Sequence, residues 1–226
     1  IGCVATTFTF QAPFFEEECL ARFAGIETDA QEDGRAYVLE REEKLAQLFS
    51  AVLVDHRQAA PKRNLRWHLL PVRGPRGGIM HAKVSVLVWE HRIRVLVGSA
   101  NLTEPAYRRN FEHMAVFEFS PDSDLPLELL TEVLDFVDRV RRFAPGADKA
   151  TDVGPQAGLA RFLAQTRARA RGWQSVGWRR GDVRAVFMPV FPKGPSLFEQ
   201  VQREMPSQTG ADWAWVTSPF FDTGDG

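Results

Sequence analysis

The chain has 226 residues, of which 44% are apolar and 25% charged, and its net charge is −1. That length suffices for a large buried core, and a near-zero charge excludes a bulk field that gathers polyanions. No apolar run approaches the ~18 residues of a membrane span, and two cysteines make a poor disulfide framework, so Cys3 and Cys19 are expected to be buried free thiols in a reducing, cytoplasmic setting.

Taken in order, residues 3–10 read as a β-run and Phe14 to Phe23 as a helix. The opening lacks Met and any signal segment, so an excised piece of a longer protein is expected. The polar, acidic stretch 27–36 reads as a loop. Val38-Leu39 and the run from Leu45 to Val54 leave helix and strand both open. Leu65 to Val72 reads as a strand, and the Gly/Pro-rich Arg73 to Gly78 as a turn. Lys83 to Trp89 and Ile93 to Val97 form a strand pair around Glu90-His91-Arg92, and Met114 to Phe119 is a further strand. From Pro126 to Phe143, apolar residues at 127, 130, 133, 134, 137 and 140 mark one face of an amphipathic helix.

Gly/Pro punctuation over 144–147 and 153–158 predicts a domain boundary. Beyond it, Leu159 to Ala170 reads as a helix, Val183 to Val190 as a strand, and Ser196 as the N-cap of a short helix. The end of the chain echoes its beginning. Val216-Thr-Ser-Pro before Phe220-Phe221 resembles Val4-Ala-Thr-Thr before Phe14-Phe15, a hint of a duplicated architecture whose second copy is cut off.

Charge is uneven along this neutral chain. Residues 16–43 hold ten acidic and three basic side chains, whereas 57–76 hold six Lys/Arg and no acid. Residues 161–184 carry seven Arg against Asp182 alone, with Trp173 and Trp178 interleaved. Such segments suit a nucleic-acid strand through phosphate pairing and base stacking. A solvated surface balanced by the acidic stretch is an equal alternative.

The chemistry-bearing residues cluster between 81 and 112. His81 and Lys83 stand two apart and face one side of an extended segment. Gly98-Ser99-Ala100-Asn101 follows after a second strand, with Asn110 and Glu112 beyond it. A phosphate diester is shielded by its own anionic oxygens, so a catalyst must neutralise them while presenting a nucleophile in line. Neutral imidazole can attack and form a phosphohistidine. Lys83 and Asn101, with Ser99 and Gly98, are expected to hold the non-bridging oxygens, and Glu112 to pair with the N–H of a histidine. His68 and His113 lie in apolar strand contexts and are expected to be core histidines, while His91 sits at an exposed turn.

His81, Lys83, Gly98, Ser99, Asn101, Asn110 and Glu112 together resemble one catalytic motif of the phospholipase D superfamily, His-x-Lys, Gly-Ser-x-Asn and Asn-x-Glu. Most members carry an Asp five positions after the lysine, where this chain has Val88; in that it is similar to the tyrosyl-DNA phosphodiesterase branch. The resemblance implies a metal-independent phosphodiesterase with no cofactor. It also implies a second His-x-Lys whose histidine protonates the leaving group. None is present: His56, His68, His91 and His113 are followed two positions on by Gln58, Leu70, Ile93 and Ala115. The second catalytic half is therefore expected from a missing C-terminal region or from a homodimer mate.

The implied fold class is α/β, a phospholipase D-like α/β/α sandwich with a mixed central sheet. The expected layout is a first catalytic half over 1–147, a linker over 148–158 and the start of a second half over 159–226. Nucleic acid is the expected substrate. A phospholipase or phosphatidyl transferase, marked by an exposed apolar rim around His81, and a non-catalytic nucleic-acid-binding lobe are the alternatives.

Overall fold

A computed structural model describes residues 1–29, 32–59, 66–147, 152–173 and 185–205. Residues 1–187 form one compact unit and 188–226 another. The first unit is built on a six-stranded sheet in the order β3-β2-β1-β4-β5-β6. Strands β1 (Gly2–Thr7), β2 (Phe49–Asp55) and β3 (His68–Val72) run parallel. Strands β4 (Val84–Val88), β5 (Ile93–Gly98) and β6 (Met114–Phe119) complete it in antiparallel fashion. The result is a mixed sheet with helices on both faces, the α/β architecture expected from the sequence.

Local sequence explains the strand positions. β1 and nearly all of β2 are buried along their length, as parallel central strands covered on both faces must be. β4 alternates buried and half-buried residues, which fits one packed face. The helix or strand ambiguity before Val54 resolves into both. Helix α3 (Arg35–Ala46) ends just before β2 begins.

On one face, Cys3, Ala5 and Val52 pack with Phe15, Leu20, Leu45, Trp67 and Leu102. The covering helix there is unusual. It begins as α1 (Ala12–Phe14), widens into a π-helical stretch over Phe15–Leu20 and continues as α2 (Ala21–Ala24). Gly25 ends it at φ 67, a left-handed conformation that disfavours a side chain. Cys3 and Cys19 are free thiols in this layer, and burial pushes each pKa up to about 12, so both remain protonated at neutral pH.

The opposite face is covered by α5 (Leu127–Arg141) and α6 (Pro155–Ala170). All five of the predicted core positions from 130 to 140 are buried, with Leu129 and Phe136 added. Phe162 of α6 stacks on Phe49 at 5.3 Å, over the space that Gly2 leaves without a side chain. Part of the span 148–158, expected as a linker, is helical. Pro155 already opens α6, because Pro fits the first helical turn, and that helix packs on α5, β2 and β3.

In the second unit, Ser196 caps α7 (Leu197–Glu204) as expected: its hydroxyl accepts from Glu199 N, and Glu199 accepts from Ser196 N. The strand expected over 183–190 is not found at 185–190, which lie outside any strand. The echo at 216–221, Trp178 and Asp182 fall outside the described residues. Among the described residues no helix is long and apolar enough to cross a membrane.

Candidate active site

The carboxyl ends of β1 and β2, the start of β4, the end of β5 and the start of β6 meet at one end of the sheet. Ligand sites in open α/β sheets collect at the carboxyl ends of parallel strands. His81 and Lys83 lie on the extended segment leading into β4 rather than within it. Lys83 Nζ stands 3.0 Å from each His81 ring nitrogen and donates to the His81 carbonyl at 2.8 Å. Phe8, just past β1, rests against the imidazole with ring centroids 5.2 Å apart.

These surroundings favour uncharged forms. Burial, and secondarily the Lys83 charge, hold the His81 pKa below its ordinary value, so the ring is neutral at pH 7. Burial also lowers Lys83 to about 8, against the opposing pull of Glu112. Lys83 is thus mostly cationic at pH 7 and loses its charge as pH rises past about 8.

Asn101 is held by its oxygen. Its Oδ1 accepts from Phe8 N at 3.1 Å and Thr9 N at 3.2 Å, with Thr7 Oγ1 at 3.4 Å. An oxygen so engaged leaves the carboxamide NH2, a pure donor, with no partner among the described residues. Thr7 Oγ1 also donates to Thr9 O at 2.7 Å and accepts from Leu102 N, tying β1 to the Asn101 turn.

Ser99, Asn110 and Glu112 form a separate set. The Ser99 hydroxyl donates to Glu112 and accepts from His113 N at 3.0 Å, while Asn110 Nδ2 donates to Glu112 Oε1 at 3.3 Å. The hydroxyl proton of Ser99 is therefore committed to Glu112 and is not the free donor the sequence suggested. Nor does Glu112 bond His81; its partners are Ser99 and Asn110. Gly98 N is likewise used, donating to Lys83 O at 3.1 Å.

Gly98 has a steric reason to be glycine, because a Cβ there would overlap the His113 carbonyl oxygen of the paired strand. Gly98→Ala is expected to cost about 1–3 kcal/mol as β5 and β6 spread apart. A chemical-denaturation midpoint unchanged from wild type would contradict this.

Asp55, fully buried at the end of β2, was missed by sequence reasoning. Its carboxylate accepts from Arg57 N at 3.0 Å and from Met80 N at 2.9 Å, the residue before His81. The available signal was an acid closing the apolar run Ala51-Val-Leu-Val54. Asp55→Ala leaves Met80 N–H buried without a partner, an expected loss of about 1–3 kcal/mol. Faster amide exchange at Met80 in that variant is the direct measurement.

The other histidines divide. His91 is exposed as expected, its side chain 82% accessible. His68 is half-buried against Phe49, whose ring centroid lies 5.6 Å away. His113 is exposed and not a core residue, because β6 is an edge strand whose residues from Met114 to Val116 face solvent.

The basic segments are less available than their composition implied. Arg167 pairs with Asp135, while Arg161 and Arg169 bond carbonyls of Asp152 and Trp89. Arg66 pairs with Glu42 and Arg57 donates to Gly77 O. Arg73 and Arg76, on the approach to His81, are exposed and form no ion pair among the described residues.

No family model matches the chain, and no curated protein does. Among solved structures it is similar to NucT from Helicobacter pylori, at 13% identity and a TM-score of 0.36, over 63% of this chain and 80% of that one.

Proposed function

We propose that this chain is a catalytic lobe of a metal-independent phosphodiesterase that acts on nucleic acid through a covalent phosphohistidine on His81. The observation that carries this reading is the juxtaposition of a neutral imidazole with the Lys83 ammonium, 3.0 Å from its ring nitrogens. A ring nitrogen attacks phosphorus, and the alcohol opposite leaves with the P–O bonding electrons and takes up a proton. Water then cleaves the P–N bond and regenerates the imidazole. Lys83, whose ammonium lies against the His81 ring nitrogens and carbonyl, and the Asn101 NH2 group hold the non-bridging oxygens in this reading.

The proton for the leaving group comes, in this reading, from a histidine of a second half, in the same chain or in a homodimer mate. Glu112, just before β6 and already accepting from Ser99 and Asn110, offers the remaining capacity of its carboxylate to such an imidazole. Nucleic acid is favoured by Arg73 and Arg76, which shortly precede His81 in the sequence, are exposed and form no ion pair among the described residues. A lipid substrate has one specific support: Ile79 and Phe111, near His81 and Glu112 in sequence, are 56% and 105% exposed. Activity that requires phospholipid vesicles would replace the nucleic-acid reading with that one.

The test is a rapid denaturing quench during turnover of a labelled phosphodiester. An acid-labile, base-stable phosphate on His81 is expected, formed equally well in EDTA. A label on Ser99, or an adduct that forms only when a divalent metal is restored, would overturn the mechanism.

A further inference from the structure

Beside Lys83, on the sheet face that carries the π-helical turn, lies an open-sided cavity of about 360 Å³. It is a ligand-sized space. Phe14, Phe15, Phe23, Trp89 and Tyr107 are its aromatic lining, and Leu87 and Leu96 of the sheet line it too. Ser85, Leu96, Leu102 and Tyr107 also line the small hollow that contains Lys83, so the two spaces adjoin. Lys83 and Ser85 are two residues apart on one strand face, about 7 Å, a separation that a single sugar bridges.

The charges around the cavity decide what it can hold. Among the described residues, Glu18, Arg22, Arg94 and Arg108 are the ionised side chains that line it. Each is in an ion pair: Arg22 and Arg108 with Glu18 at 3.0 and 2.7 Å, and Arg94 with Glu118 at 2.5 Å. A cavity whose cations are all neutralised is not a track for phosphates. Its aromatic walls instead suit an uncharged, flat ring, which stacks on such side chains with little regard to its identity. At the seam with Lys83, the Ser85 and Tyr107 hydroxyls have no hydrogen-bond partner among the described residues, and burial raises the Tyr107 pKa to about 12, keeping its proton in place to donate.

We infer that this cavity is a base subsite: it takes the unpaired nucleobase carried by the sugar next to the phosphate held at Lys83. The inference rests on the nucleic-acid reading above and narrows it to strands whose base is free to leave a duplex. Recognition is by stacking and enclosure, so it discriminates single from double strands and not one base from another.

Binding, measured apart from turnover, tests this. A short single-stranded oligonucleotide and the same strand with one abasic position are titrated against the chain by fluorescence anisotropy, with a duplex as a third probe. The intact strand is expected to bind roughly 10-fold more tightly than the abasic one, and more tightly than the duplex. Ser85→Leu, which fills the seam, is expected to abolish that difference while leaving the weaker affinity for inorganic phosphate unchanged. Equal affinities for intact and abasic strands in the wild-type chain overturn the subsite even if Ser85→Leu fails to fold. So does octyl phosphate competing better than adenosine monophosphate, which would assign the cavity to an aliphatic chain. Neither result bears on the His81 adduct, whose absence would instead remove the mechanism.

Discussion

Replacing His81 with alanine is expected to lower turnover on the order of 10⁴-fold or more and to abolish the covalent adduct. The magnitude follows from what the ring does. Loss of a donor weakens one charge contact, whereas loss of the nucleophile forces water to attack phosphorus directly. His81 is exposed, so the fold should survive the change. Single-turnover kinetics with a folded H81A chain, completed by whatever second half it works with, check this. Residual turnover within 10-fold of wild type would remove His81 from the chemistry.

Lys83→Ala is expected to cost roughly 10²–10³ in rate and to change the pH profile in a defined direction. In the wild-type chain the imidazole must be neutral, so activity falls as pH drops through a His81 pKa that lies below its ordinary value. The ammonium must be charged, so activity also falls as pH rises past about 8. Removing Lys83 removes the second limb altogether. It also removes one of the two influences that depress the imidazole pKa, leaving burial as the larger one, so the acid limb moves to higher pH while staying below the ordinary histidine range. NMR titration of the His81 ring protons reads that shift without any substrate. An alkaline limb that persists in Lys83→Ala would assign it to another group.

The parts of this molecule that were legible in its sequence are those that local pattern determines. Apolar spacing placed α5 to within a residue or two, and the Glu90-His91-Arg92 turn located the β4–β5 pair. Spacing also brought His81 and Lys83 together. What the sequence hid depends on contacts across long separations. Asp55 and Met80 are 25 residues apart, and Phe8 and Asn101 are 93 apart, so no window along the chain relates them. The same is true of hydrogen-bond commitments. Ser99 and Lys83 both look like donors in a motif, but only the folded chain shows that the Ser99 proton is spent on Glu112. His113 was misread because a strand in sequence does not reveal whether it will be an edge.

The fixed orientation of the Asn101 side chain makes the polarity it presents depend on a single atom. Its oxygen is locked toward the main-chain amides of Phe8 and Thr9, so the nitrogen occupies the outward position. An aspartate at this position would keep one oxygen for the inner contacts and set an anion where the amide nitrogen stands. One atom exchanged, with the outline of the side chain nearly the same, would thereby turn a group that attracts phosphate into one that repels it.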